Sequence, residues 1–305
     1  MTTITGTTRV FYCIADPIDQ VRAPEVFNAV FARAGVDAVM VPLRVRADRL
    51  ESTLRALLES PTVGGISLSI PHKAAATTIV DRCSDIAAAS GAVNAVRRDG
   101  NGALEGDLFD GLGFTGLLQR AAIDYVGRRV LIIGAGGAAS AVATALAAEG
   151  VSTLGLHDPD VEKSSQLAQR LRARFDIEAF AASSNDPSGF DLIVNASPLG
   201  LKDSDPLPVD VAAMPSHAAV CDILMKNQPT PLLRRARARG LVAAPGFDML
   251  IRQTPHYLDF FGYPGLAEMV RQDDLFIREL LFPEGLLPTA MGVTRDASRE
   301  VLLSV

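Results

Sequence analysis

Short apolar runs alternate with amphipathic segments along the first part of the chain. Val10–Ala15, Ala38–Val45 and Gly65–Ile70 are apolar or rich in β-branched residues, as buried strands are. Pro24–Ala34 and Ala47–Glu59 lie between these runs and repeat apolar positions every three or four residues, which predicts helices. This alternating order predicts a mostly parallel sheet with helices on its faces.

A second series of apolar runs begins near Gly127. The predicted strands are Val130–Ile133, Ser152–His157, Leu192–Asn195 and Ala218–Ile223, and the predicted helices are Ala138–Ala148, Glu162–Phe175 and Thr230–Arg239. Strands and helices in this order predict a Rossmann-type doubly wound unit. We therefore expect an α/β protein in which residues 1–115, completed by 247–305, form one domain and residues 116–246 form the other. The tail after Pro283 has weak periodicity and is expected to be partly irregular.

Composition agrees with two domains of an ordinary globular protein. The chain has 305 residues, of which 48% are hydrophobic and 21% are charged, and such a length exceeds what one compact core usually holds. The net charge of −6 comes without a basic cluster, which excludes nucleic acid as an expected partner. No apolar run approaches the ~20 residues that cross a bilayer.

The cysteines and histidines give no sign of a disulfide framework or a metal site. Cys13, Cys83 and Cys221 lie far apart, which is typical of free thiols in a reducing cytoplasm. The N-terminus lacks the pattern of a signal peptide, and the four histidines lack metal-ligand spacing. We expect a cytoplasmic protein without a bound metal.

A glycine-rich turn follows the first predicted strand of the second unit. Gly134, Gly136, Gly137 and Ala138 are small enough for the backbone to approach a pyrophosphate, which then meets the N-terminus of the next helix. Asp158 ends the following strand, where a carboxylate accepts hydrogen bonds from the adenosine ribose and repels a 2′-phosphate. No arginine stands beside it, so NAD is expected over NADP. The alternatives are a plain turn and a helix-capping aspartate.

Polar residues after the strands of the first unit are candidates for catalysis. Lys73 follows the predicted strand Gly65–Ile70, and the ligands of parallel sheets bind at the carboxyl ends of strands. Asn94 and Asp110 each lie beside glycines farther along the chain. A lysine can take up and release the hydroxyl proton during alcohol oxidation and ketone reduction, while a nearby aspartate holds it in place. The alternative for Lys73 is a solvated lysine at a helix start.

At these segments the sequence resembles the shikimate dehydrogenase family over nearly its whole length. The segments that match the family pattern include Lys73, Asn94, Asp110-Gly111, Asn195–Gly200, Asp222-Ile223, Thr230–Leu233 and Met249–Gln253. The resemblance implies that Lys73 and Asp110 are an acid/base pair and that Asn94 and Gln253 bind substrate hydroxyls. It further implies that a helix carrying Gln253 folds back onto the N-terminal domain. A purely structural amide is the alternative for Asn94 and Gln253.

The same resemblance implies further contacts with substrate and cofactor. Ser69 stands at a substrate-facing position, and Asn195, Ser197 and Met225 are expected beside the dinucleotide. Met225 occurs where the family has a tyrosine near the nicotinamide.

The segment before the first predicted helix departs from the family pattern. The two serines that hold the substrate carboxylate in the family are Val21 and Ala23 here, and neither side chain donates a hydrogen bond. Arg22 is a candidate replacement because its planar fork pairs well with a carboxylate, and a surface arginine is the alternative. Leu108 and Phe109 replace an Asn-Thr pair, and Ser67 replaces an asparagine. The recognition surface is thus expected to differ while the chemistry is kept.

These expectations combine into an NAD-dependent dehydrogenase that acts on a small ring hydroxy acid such as shikimate or quinate. The Rossmann-type domain would bind NAD and the N-terminal domain the substrate, with a homodimer as a possible assembly. Two other functions stay open at this point. One is a catalytically silent NAD-binding or regulatory protein, and the other is an oxidoreductase for a ring alcohol without a carboxylate.

Overall fold

A computed structural model describes residues 3–282 as two six-stranded sheets with helices on their faces. The strands of the first sheet are β1 (Arg9–Ala15), β2 (Ala38–Arg44), β3 (Val63–Leu68), β4 (Arg82–Cys83), β5 (Ala95–Arg98) and β6 (Leu104–Asp107). The strands of the second sheet are β7 (Arg129–Ile133), β8 (Thr153–His157), β9 (Glu178–Ala181), β10 (Leu192–Asn195), β11 (Ala219–Asp222) and β12 (Val242–Pro245).

The helices lie between and after these strands. They are α1 (Ala23–Ala34), α2 (Leu50–Glu59), α3 (Lys73–Ala76), α4 (Asp85–Ser90), α5 (Asp110–Arg120), α6 (Gly137–Ala148), α7 (Val161–Arg174), α8 (Pro231–Ala238), α9 (Phe247–Phe260), α10 (Pro264–Gln272) and α11 (Leu275–Leu281). Short 3₁₀ turns occupy Ala47–Arg49 and Val211–Ala213. No helix within residues 3–282 is long and apolar enough to cross a membrane.

The second sheet is parallel throughout and has the strand order β9-β8-β7-β10-β11-β12. This order reverses direction between the neighbouring strands β7 and β10, and doubly wound sheets bind ligands at such a reversal, at the carboxyl ends of the strands. The first sheet has the order β2-β1-β3-β5-β6-β4, in which β5 is antiparallel to both of its neighbours. The predicted α/β fold class is confirmed.

The helix α9 follows the second sheet in sequence but packs on the first. Its residues Phe247, Tyr257 and Leu258 join an apolar cluster with Phe27 of α1 and Phe11 of β1. A close crossing with α5 fixes its position, because a side chain at Gly113 would collide with the backbone of α9 at Met249. The expected return of this segment to the N-terminal unit is what the structure shows.

Small residues also join the two halves of the molecule at α5 and α6. A Cβ atom at Gly111 of α5 would lie 2.6 Å from the carbonyl oxygen of Ala141 in α6. Ser140 of α6 donates a hydrogen bond of 2.6 Å to the carbonyl of Ser90 at the end of α4. These contacts hold the start of α6 against the helices of the first sheet, and so determine how the two sheets face each other.

The predicted boundaries of most elements agree with the structure to within one or two residues. The segment predicted as one helix, Ala47–Glu59, is a 3₁₀ turn followed by α2. The strands β4, β5, β6, β9 and β12 were not predicted, since each has only two to four residues, which is too short a run for a hydrophobic period to emerge. The expectation for the tail at Glu284–Val305 lies outside the described residues, and the exact domain limits stay a prediction.

Candidate active site

Lys73 and Asp110 meet at the centre of the cleft between the two sheets. Lys73 is the first residue of α3, directly after the turn that follows β3, and Asp110 is the first residue of α5. The Nζ atom of Lys73 donates to the Asp110 carboxylate in a direct ion pair. Only 12% of the lysine side chain and 6% of the aspartate side chain are exposed. The pair is therefore shielded from bulk water, where charge interactions are weak.

The turn that carries Lys73 is held by its neighbour His72. The Nε2 atom of His72 lies 2.8 Å from the carbonyl oxygen of Val45, to which it donates, and the residue is 1% exposed. Burial lowers the pKa of His72, so the ring is neutral at neutral pH. Val93 donates a main-chain hydrogen bond of 2.8 Å to the carbonyl of Lys73. The lysine is thus fixed from both sides of the turn.

Asn94 connects the elements around this ion pair. Its Oδ1 atom accepts a hydrogen bond of 3.0 Å from the backbone N–H of Phe109, the residue before Asp110. Its Nδ2 atom lies 3.5 Å from Oε1 of Gln253 on α9. Asn94 is fully buried, and its side chain therefore positions the start of α5 as well as the amide of Gln253.

Tyr257 lies one turn beyond Gln253 on the same face of α9. Its hydroxyl donates to the carbonyl oxygen of Asn94 at 3.1 Å and is 3.4 Å from Oγ of Ser67 in β3. Burial, followed by the nearby Asp110 carboxylate, raises the pKa of Tyr257 well above its ordinary value. The phenol therefore remains a protonated donor. Burial also raises the pKa of Cys13, which neighbours Ser67, to about 12, so this thiol is not a nucleophile.

The glycine-rich turn between β7 and α6 lies against Lys73. Gly134 has a φ of 108°, and a Cβ atom there would be 2.7 Å from the carbonyl oxygen of Ala196. A Cβ atom at Gly136 would meet nothing within 4 Å, which leaves open space above the turn. A Cβ atom at Gly137 would lie 3.4 Å from Cβ of Lys73. The turn that suits a pyrophosphate thus adjoins the candidate acid/base residue, and Ala138 continues it into α6.

Asp158 holds the same turn from the end of β8. Its Oδ2 atom accepts a hydrogen bond of 2.8 Å from the N–H of Ala135, and its Oδ1 atom accepts one of 2.9 Å from the N–H of Asp160. Each carboxylate oxygen keeps a second lone pair, so these bonds leave room for a ribose hydroxyl. Asp158 therefore has a structural contact, and its expected contact with a ribose stays a prediction.

A buried hydrogen-bond network shapes the loop after β10. Asn195 donates to the Asp222 carboxylate at 3.1 Å and to the carbonyl of Leu199 at 2.9 Å, and its Oδ1 atom accepts from the Ser197 hydroxyl at 2.7 Å. Thr230 donates to Asp222 at 2.7 Å. Burial raises the pKa of Asp222, although these hydrogen bonds lower it in part. The network fixes the loop that lies against Gly134.

Comparison with known proteins relates this arrangement to a family. Residues 13–96 match the family model described as the shikimate dehydrogenase substrate binding domain. The chain is 36% identical over 254 residues to the shikimate dehydrogenase (NADP(+)) of Rubrobacter xylanophilus, covering 82% of this chain and 89% of the relative. It is 35% identical over 268 residues to that of Rhodospirillum rubrum, covering 85% and 94%.

The chain belongs to the shikimate dehydrogenase family.

Solved structures show the same fold across relatives with different names. Shikimate dehydrogenase from Aquifex aeolicus is 28% identical, with a TM-score of 0.78 over 89% of this chain and 100% of that one. The NAD complex of quinate dehydrogenase from Corynebacterium glutamicum is 26% identical, with a TM-score of 0.76 over 87% and 99%. The 5-ketofructose reductase of Gluconobacter sp. strain CHM43 is 26% identical, with a TM-score of 0.75 over 88% and 99%.

Three departures from the shikimate dehydrogenase pattern lie together in an apolar region. Val21, Ala23 and Met225 are partly buried against the cluster that includes Phe109 and Tyr257. Met225 follows β11 of the second sheet, yet it packs on the cluster of the first. The positions where the family pattern has serines therefore carry hydrocarbon side chains packed on this cluster.

Arg22 is engaged in contacts with other groups of the protein. Its Nε atom donates to both carboxylate oxygens of Glu25 at 2.9 Å, and its NH2 group donates to the carbonyl of Leu280 at 3.2 Å. These contacts tie the start of α1 to α11. They give Arg22 a structural role that was not predicted from the sequence, and the expected substrate contact stays a prediction. Ser69, the other serine proposed for the substrate, is partly exposed in the turn before Lys73.

Sequence reasoning missed the hydroxyl of Tyr257 and the carboxylate of Asp222 as parts of this arrangement. A signal for Tyr257 was present, because it stands four residues after Gln253 and therefore on the same helix face. Asp222 and Thr230 lay within matched segments, but nothing in their spacing showed that they share a hydrogen bond.

Proposed function

We propose that this protein is an NAD(H)-dependent oxidoreductase that interconverts a secondary alcohol and a ketone on a small ring. Shikimate and quinate, for which its relatives are named, are the reference substrates, and the named 5-ketofructose reductase indicates that the fold serves other polyols. The observation that carries the proposal is the buried Lys73–Asp110 pair directly beside the glycine-rich turn at Gly137. This geometry supports an acid/base group at the end of a dinucleotide cleft.

Lys73 moves the proton in this scheme, and Asp110 keeps its Nζ atom in place. In ketone reduction the lysine ammonium donates a proton to the carbonyl oxygen, and in alcohol oxidation the neutral amine accepts the hydroxyl proton. Asn94, Gln253 and Ser69 orient the ring through its hydroxyl groups. A bound nicotinamide supplies or accepts the hydride. The buried position of the pair favours direct transfer over exchange with water.

The residues around the glycine-rich turn fit a dinucleotide, and their charge favours NAD. The open space above Gly136 and the N-terminus of α6 suit a pyrophosphate, and the loop with Asn195 and Ser197 lies beside Gly134. Asp158 accepts from the adenosine ribose in this arrangement. Asp160 and Glu162 add negative charge, and Lys163 lies 3.3 Å from Asp160 as its ion-pair partner. A 2′-phosphate would be repelled here, in contrast to relatives named for NADP(+).

We assign substrate binding and dinucleotide binding to two different parts of the chain. Residues 1–115, together with the segment from 247 onward, form the substrate side, and residues 116–246 form the dinucleotide side. The contacts of α9 with β1 and α1 support this division.

Substitution of Lys73 by methionine tests the proposal. Loss of the proton donor is expected to lower kcat about 10²–10⁴-fold with any accepted ring substrate, because this is the usual contribution of a general acid or base. The NAD dissociation constant, measured by calorimetry, should change little. The matched control is Lys202→Met, which removes a lysine from the surface of the second sheet. Unchanged turnover in Lys73→Met would refute the role of Lys73. If the native protein binds NAD but turns over no ring alcohol, the result would favour a catalytically silent dinucleotide-binding protein.

A further inference from the structure

We propose that the ring substrate of this site is uncharged, so that a cyclic polyol or the matching ketone is turned over in preference to its carboxylate-bearing analogue. The inference rests on the proposed dehydrogenase function and concerns which ring the cleft accepts. Its basis is the polarity and charge of the side chains that surround Lys73 and Asp110.

The polar groups nearest the ion pair are neutral. The amides of Asn94 and Gln253 and the hydroxyls of Ser67 and Tyr257 all belong to residues that are at most 6% exposed. Their hydrogen bonds with one another hold them in place between β3, β5 and α9. Amide and hydroxyl groups are complementary to ring hydroxyls, and they provide no positive charge for a carboxylate.

The cations of this region are already balanced. Lys73 is paired with Asp110, and Arg22 is paired with Glu25 at 2.7 Å. A substrate carboxylate would therefore approach an ion pair that is already neutral overall, and not a free cation. Lys226, beside Met225, is exposed, and an ammonium in water attracts a carboxylate only weakly.

The two histidines of this region do not supply a cation either. Burial lowers the pKa of His72, and its ring donates to the carbonyl of Val45. Burial, followed by repulsion from Arg271, lowers the pKa of His256, which stacks on Phe109 with ring centroids 6.0 Å apart. Both rings are neutral near pH 7.

Three of the residues at which the chain departs from the family pattern carry hydrocarbon side chains without hydrogen-bond donors. Val21 and Ala23 pack against the cluster with Phe109 and Tyr257, and Met225 reaches the same cluster from the second sheet. A carboxylate placed against this surface would lose water without gaining a hydrogen-bond donor, whereas a ring carbon or a neutral substituent would not.

Three compounds with the same ring and hydroxyl groups test this inference: shikimate, its primary carboxamide and its hydroxymethyl analogue. We would measure kcat/KM for each with NAD, and measure the affinity of each for the protein with NADH by calorimetry. At least one neutral compound is expected to exceed shikimate about 10-fold or more in both quantities. The double variant Val21→Ser/Ala23→Ser should raise the ratio of shikimate to carboxamide about 10-fold, while Val126→Ser, a surface control, should leave that ratio unchanged.

Other results would overturn the inference or the function separately. If shikimate equals or exceeds both neutral compounds in kcat/KM, the inference is wrong, and loss of shikimate turnover in Lys226→Met would identify the overlooked anchor. If none of the three compounds reduces NAD, the proposed reaction fails for this ring. The order of affinities measured by calorimetry then still shows whether the site prefers a neutral or a charged ligand. Tighter binding of shikimate in that case would also refute the inference.

Discussion

The two sheets differ in how their functional residues are distributed along the chain. On the dinucleotide side, Gly134, Asp158 and Asn195 each directly follow a strand or end one, and the parallel register brings them to one edge. On the substrate side, the site combines Lys73, Asn94, Asp110 and α9, which come from separate segments and an antiparallel strand. The first kind of site depends on local turns, whereas the second depends on packing between distant segments.

Three departures from the family pattern lie at one apolar cluster, where Val21 and Ala23 belong to the substrate side and Met225 to the dinucleotide side. A turn that must hold a pyrophosphate tolerates few changes, since a side chain at Gly134 collides with the neighbouring loop. Val21 and Ala23 belong to a segment that is distant in sequence from Lys73. Serine can therefore be replaced at these two positions while the backbone that carries Lys73 stays in place. Reaction chemistry and substrate recognition can therefore change independently in this fold.

Substitution of Gly134 by alanine should have the largest effect on the dinucleotide side. The backbone there has a φ of 108°, which L side chains rarely adopt, and a Cβ atom would meet the carbonyl of Ala196. Strain of about 1–3 kcal/mol is expected to lower the thermal stability of the free protein and to weaken NAD binding about 10–100-fold. In the matched variant Gly136→Ala, the methyl group enters open space, so weaker NAD binding should occur without a loss of stability. Equal stability of both variants would contradict this account of the turn.

A smaller effect is expected when Asp158 is replaced by asparagine. The amide oxygen can still accept from Ala135, but the charge that opposes a 2′-phosphate is gone. The ratio of kcat/KM for NAD to that for NADP should fall about 10-fold, measured by initial rates with both cofactors. Asp160→Asn should change this ratio less, because Lys163 already balances the charge of Asp160. A native preference for NADP would refute the assignment of NAD.

On the substrate side, substitution of Tyr257 by phenylalanine removes one hydroxyl and keeps the ring. Phe27 and Phe109 pack edge-on against this ring with centroids 5.8 and 5.0 Å away, so packing should be preserved. Loss of the hydrogen bond to Asn94, worth about 1 kcal/mol, is expected to lower kcat/KM roughly 5-fold. NAD affinity should not change, and a change in NAD affinity equal to that in kcat/KM would show that Tyr257 acts on the whole fold.

The smallest expected effect is the contribution of His72 to the pH dependence of the free energy of unfolding. Since burial places its folded-state pKa below the ordinary value of 6.5, the unfolded chain takes up this proton first as the pH falls. The stabilising contribution of neutral His72 is therefore present above pH 6.5 and is lost progressively below it. Between about pH 7 and 5, the free energy of unfolding should decline more in the native protein than in His72→Phe. Denaturant titrations at both pH values measure this difference, and parallel declines would contradict it.

Most of the parallel framework was predictable from the sequence, and the pocket was not. Buried strands such as Leu192–Asn195 are short continuous apolar runs, and α6 is a longer alanine-rich segment of high helix propensity, so length and composition distinguish them. The strand β5 was missed because its four residues include two arginines. Arg22 shows the limit for site residues, since its contact with Leu280 could be found only from the position of α11.

The location of α9 has a consequence for protein synthesis. Ribosomes deliver residues 247–260 only after the entire second sheet, yet these residues cover Phe11 and Phe27 of the first sheet. During translation the first sheet therefore waits with an uncovered aromatic face until residues 247–260 arrive. Products that terminate before Gly246 would carry a complete glycine-rich turn but expose that face, and they should be recognised by chaperones or aggregate.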